Sequence, residues 1–66
     1  MQGTIKRLVR DRGFGFIRGP QGEEYFFHRS GLQVPEIFNT LQEGQVVTFE
    51  MEASIKGPRA THVEGV

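Results

Sequence analysis

Apolar residues in this chain recur at alternate positions over short stretches, the two-residue rhythm of half-buried strands. Residues 45–52 show it most clearly, with Val47, Phe49 and Met51 on one side and Thr48 and Glu50 on the other. Residues 3–10 carry the β-branched Thr4, Ile5 and Val9 and predict a first strand. Residues 14–18 predict a second, after the polar turn Arg10-Asp11-Arg12-Gly13. Gly19-Pro20-Gln21-Gly22 is a strong turn signal, and residues 23–28 predict a third strand. Residues 45–52 make the fourth, 54–58 a loop and 59–64 a fifth. Gly and Pro interrupt the chain too often for a helix of more than a turn or two.

Residues 29–44 break the rhythm, because Leu32, Ile37, Phe38 and Leu41 do not alternate with polar residues. Ser30 is placed to cap a single helical turn. A connection this long in so small a domain serves a function or closes the end of a barrel. Five short antiparallel strands with one long connection predict an all-β fold, a small closed barrel without free sheet edges. The expected interior residues are Ile5, Ile17, Tyr25, Phe27, Val47, Phe49, Met51 and Val63. The first strand is expected to bend, which leaves the inside–outside phase of Arg7, Leu8 and Val9 open.

Strand alternation also places rings outside. Five of the seven aromatic residues lie between Phe14 and Phe27. If Tyr25 and Phe27 point inward, then Phe14, Phe16, Phe26 and His28 collect on the outer face of the second and third strands. Leaving each Phe in water forgoes roughly 1.5–3 kcal/mol of burial. Stability therefore does not account for the set, whereas aromatic faces beside basic side chains suit the stacking of unpaired nucleic-acid bases.

Size and charge narrow the picture further. A chain of 66 residues makes one domain, residues 1–66, and with no cysteine it has neither disulfides nor a thiolate zinc site to support a small core. Net charge is zero, yet residues 1–29 carry six Lys or Arg against three Asp or Glu, and residues 30–66 carry two against five. The basic half is the aromatic half, as a polyanion partner would favour. No apolar run is long enough for a membrane span and no signal-peptide core is present, which predicts a cytoplasmic protein with no membrane partner.

Four segments together carry a resemblance: Gly13-Phe14-Gly15-Phe16-Ile17, Phe26-Phe27-His28, Thr40-Leu41-Gln42-Glu43-Gly44-Gln45 and Lys56-Gly57-Pro58-Arg59-Ala60. In order and spacing the chain resembles the bacterial cold-shock proteins. The resemblance implies an OB-type five-stranded barrel that binds single-stranded RNA or DNA, as an RNA chaperone or a regulator of transcription or translation. It implies base stacking on Phe14, Phe16, Phe26 and His28, and a further aromatic contact from Phe38 in the long loop, where a ring could equally serve as a plug of the core. Lys6, Arg12, Lys56 and Arg59 match or neighbour positions where the family places polar or basic groups for phosphate or base edges. Gly13 and Gly15 are expected to let a strand lie close to the backbone.

The chain also departs from the family pattern. Where the family has Lys-Trp-Phe-Asn on strand one, this chain reads Lys6-Arg7-Leu8-Val9, and Arg29 stands where another Phe often follows the His. Rings are lost and cations gained, and Arg7 and Arg29 can stack a guanidinium on a base or pair with phosphate. Weaker, more electrostatic binding is expected, with a shift of sequence preference or a loss of binding as the alternatives. The missing Trp keeps an alternative open, a degenerate barrel acting as a protein-interaction module, and the ending at Gly65-Val66 leaves a third, an excised domain of a longer protein. Tyr25 and Phe27 replace a smaller Val, so the core is expected to be repacked. His28 and His62 lack the further ligands of a metal site, Gly13-x-Gly15 lacks the third glycine of a dinucleotide fingerprint, and no phosphate loop or catalytic constellation occurs. An RNA-recognition-motif domain would need two sizeable helices. The reading is a non-enzymatic monomer without cofactor, metal or small-molecule substrate.

Overall fold

The expected strands form within a residue or two of their predicted ends. In the computed structural model, which describes residues 1–32 and 35–66, they are β1 (Gln2–Val9), β2 (Phe14–Arg18), β3 (Glu24–His28), β4 (Val46–Glu52) and β5 (Arg59–Gly65). The turn before β2 depends on Gly13, whose φ of 74° is costly for any residue with a side chain. Its N–H donates to the Val9 carbonyl at 3.0 Å, and its own carbonyl accepts the Arg29 N–H at 2.7 Å. The glycine thereby ties the β1–β2 turn to the end of β3.

The strands close into a barrel in the order β1-β2-β3-β5-β4. The purely antiparallel expectation needs correction, because β3 pairs with β5 in parallel, with Phe26 opposite Arg59. Strands that alternate up and down around a ring need an even number. A ring of five must contain a parallel pair, and the connection over residues 29–44 determines where it falls. That connection holds a 3-10 turn (Arg29–Gly31) and a 3-10 segment (Pro35–Thr40); residues 33 and 34 lie outside the described residues. The cap of the first turn is His28 and not Ser30: the imidazole Nδ1 accepts the Ser30 N–H at 3.1 Å. Arg10 donates to the carbonyls of Asn39 and Leu41 and so fastens the connection to the end of β1.

Ile5, Ile17, Tyr25, Phe27, Val47, Phe49 and Val63 are buried as expected, joined by Leu32, Phe38, Leu41 and Ala60. Met51 is not in the core; it is 51% exposed. The pairing of β4 with β1 covers only Val46 to Thr48, and beyond it β4 runs on beside β5 alone. Alternation along β4 continues, but at Met51 the barrel no longer backs it. In β1 the register slips by one residue between Ile5 and Arg7, which makes Lys6 a bulge and leaves Lys6 and Arg7 both exposed. This settles the phase that the sequence left open. No helix among the described residues is long and apolar enough to cross a membrane.

Candidate nucleic-acid interface

β2 alternates Phe14, Gly15, Phe16, Ile17, with the glycine and isoleucine buried and the two rings half-exposed. β3 repeats the rhythm: Tyr25 and Phe27 are buried, His28 is half-buried and Phe26 is 37% exposed. The pairing sets Phe14 opposite His28 and Phe16 opposite Phe26. The three phenylalanines touch one another, with centroids 5.5 Å apart for Phe14 and Phe26, 6.0 Å for Phe16 and Phe26 and 6.1 Å for Phe14 and Phe16. These contacts hold the rings in place while part of each remains open. The His28 ring is fixed by Ser30, and because Nδ1 accepts the backbone N–H, the neutral imidazole carries its hydrogen on Nε2.

Cations surround this platform. Arg7 lies opposite Phe16 on the β1 side, and Arg59 lies opposite Phe26 on the β5 side. Arg12 is exposed in the turn that ends at Gly13, and Arg29 directly follows His28. Lys56 sits in the β4–β5 hairpin, whose turn is closed by reciprocal backbone hydrogen bonds between Ser54 and Gly57 at 3.0 and 3.2 Å. Residues 54–59 and the rings of Phe16 and Phe26 enclose an open concavity of ≈ 710 Å³. The Lys6 ammonium is paired with the Glu24 carboxylate, and the Arg59 Nε lies 3.9 Å from a Glu52 carboxylate oxygen.

One open alternative is resolved here and one expectation fails. Phe38 is 1% exposed and packs on Phe27 with centroids 6.2 Å apart, so it plugs the core and offers no face to a base. Gly15 serves the interior, not the approach of a strand. A Cβ there would lie 2.5 Å from the Arg7 carbonyl and 2.9 Å from the Phe27 ring. Sequence reasoning missed Pro58 and the fully exposed Ile55, both on the wall of the concavity. Gly57-Pro58 signals a turn, but which ring that turn faces follows from the β3–β5 pairing. Among the described residues no group of three or more His, Cys, Asp or Glu side chains is placed to hold a metal.

Residues 1–66 match the model of the family described as 'Cold-shock' DNA-binding domain. The chain is 48% identical to cold shock protein 1 of Lactiplantibacillus plantarum over 61 residues, which cover 92% of this chain and 91% of that protein. It is 44% identical over 66 residues to the cold shock-like protein of Thermotoga maritima, covering 100% of this chain and 98% of the other. To the major cold shock protein of Streptococcus pyogenes serotype M1 it is 42% identical over 62 residues, covering 94% and 91%.

Proposed function

The chain belongs to the cold-shock domain family, and from that premise we propose that it binds single-stranded RNA or DNA by stacking bases on Phe14, Phe16, Phe26 and His28. The family's proteins bind nucleic acid without catalysing a reaction, and this chain is not an enzyme. The observation that carries the proposal is the trio of phenylalanine rings held in mutual contact on the outside of the barrel, against the preference of such rings for the core. Each base stacked on a ring contributes on the order of 1–3 kcal/mol. Three such stacks support micromolar or tighter binding once the cost of ordering the strand is subtracted. Arg7, Arg12, Arg29, Lys56 and Arg59 attract the strand's phosphates or meet its base edges, and Lys6 contributes less because Glu24 holds it.

A base stacked here is unavailable for pairing in a duplex. Binding therefore shifts strands toward the unpaired state, which is the physical basis of a chaperone or of a regulator that keeps a message open. Titration with oligo-dT and oligo-U at low salt, followed by amide NMR, tests the proposal. The amides of Phe14, Phe16 and His28 should shift on addition of strand. Silence at all three with either oligonucleotide would assign the aromatic face to another partner, such as a protein chain.

A further inference from the structure

One row of the platform runs Arg7, Phe16, Phe26, Arg59 across β1, β2, β3 and β5. In the antiparallel pairs of the row, Arg7 with Phe16 and Phe16 with Phe26, opposite Cβ atoms stand about 5 Å apart. A base lying on Phe16 or Phe26 therefore turns an edge toward a guanidinium. The other cations occupy the rim: Arg12 in a turn, Arg29 past the end of β3, Lys56 at a hairpin tip. Rim positions suit phosphates, whereas Arg7 stands level with the stacked bases. Among the described residues Arg7 has no ion-pair partner. The Nε of Arg59 is shielded from solvent and lacks a hydrogen-bond acceptor, with the nearest carboxylate oxygen, on Glu52, at 3.9 Å.

An arginine presents a rigid fork of donors, and its best partner is an edge with two acceptors side by side. Guanine has such an edge in O6 and N7, whereas adenine sets a donor beside N7 and thymine or uracil presents a single carbonyl there. Cytosine also pairs two acceptors, N3 and O2, but its single ring covers less of a phenylalanine than a purine does. We propose that Arg7, with Arg59 at the other end of the row, reads the O6/N7 edge of a guanine stacked on Phe16 or Phe26, so that the chain prefers strands with guanine at one or two positions. The inference rests on the stacking proposed above, since an unstacked base presents no edge to this row.

The test titrates the protein with a thymine hexamer and with hexamers carrying one guanine at each position in turn. At the best position the guanine is then replaced by adenine, cytosine or 7-deazaguanine, and the series is repeated with Arg7→Lys, whose fold is checked by its amide spectrum. Guanine should tighten binding at least about fivefold over adenine and cytosine. 7-Deazaguanine, which lacks N7, should forfeit most of the gain. Arg7→Lys keeps the charge and a donor for O6 or N7 but not the rigid fork, and should lower the guanine-to-adenine ratio severalfold. Equal affinities for guanine and adenine, a preference for cytosine, or a ratio undiminished by Arg7→Lys would overturn the guanine readout. If Phe16→Ala still weakens binding to the thymine hexamer while guanine brings no gain, the readout alone fails and the stacking stands. If no strand binds at all, both fail.

Discussion

Gly15 shows how closely the two faces of β2 depend on each other. It lies between two outward rings, yet its absent side chain would point inward, against the Arg7 carbonyl and the Phe27 ring. The glycine lets β1 and the large Phe27 approach β2 closely, and that approach brings Arg7 beside Phe16. Gly15→Ala should therefore destabilise the fold by about 1–3 kcal/mol, read as a lower urea midpoint; an unchanged midpoint would show that the Arg7 backbone yields easily. At this scale alternation alone made the burial of Tyr25 and Phe27 and the exposure of Phe26 legible. Phe38 was not legible, because it lies in a segment without alternation and its burial depends on how the 3-10 segment seats against Phe27. Nor was Met51, whose pattern is that of a core residue but whose strand outruns the barrel.

At the level of elements, strand positions followed from turn chemistry, and irregularities did not. The bulge at Lys6 and a second one in β5 leave no mark in composition. Between Thr48 and Glu50 on β4, the partner strand advances from Glu64 to Thr61 and gains a residue. That surplus falls at His62, which has a φ of 52° and sits 3.3 Å from the Glu50 carboxylate. A left-handed conformation costs a residue with a side chain roughly 1–2 kcal/mol, and an exposed contact with a carboxylate returns little of it. His62→Gly should raise stability by about 0.5–1 kcal/mol after allowance for the more flexible unfolded chain, seen as a melting temperature several degrees higher. A lower melting temperature would mean that the imidazole's contact with Glu50 outweighs the backbone strain. Arg10 belongs to this scale too: it counts among the basic residues in the sequence, but in the fold it serves the connection between β3 and β4 through two carbonyls.

For the whole molecule, zero net charge conceals a division of labour. The positive excess of residues 1–29 lies in the half that carries the outward rings, while Lys6 is offset by Glu24 and Arg10 is held by carbonyls. About three neutralised phosphates should give a slope near −2 for log affinity against log salt on single strands; a slope near zero would take the rim cations out of the interface. The small barrel was legible from strand count and turn spacing, but its parallel β3–β5 seam was not, because that seam arises from closing an odd ring. The seam brings Arg59 and the hairpin wall to Phe26, and thus completes the concavity. The central claim is that the outward rings bind bases, and it is tested most directly by the affinity of Phe16→Ala for oligo-dT beside that of the unaltered chain. The account predicts a dissociation constant about tenfold higher, within the range of one lost stack, from a variant that still melts cooperatively. Equal dissociation constants for the two folded proteins would contradict it.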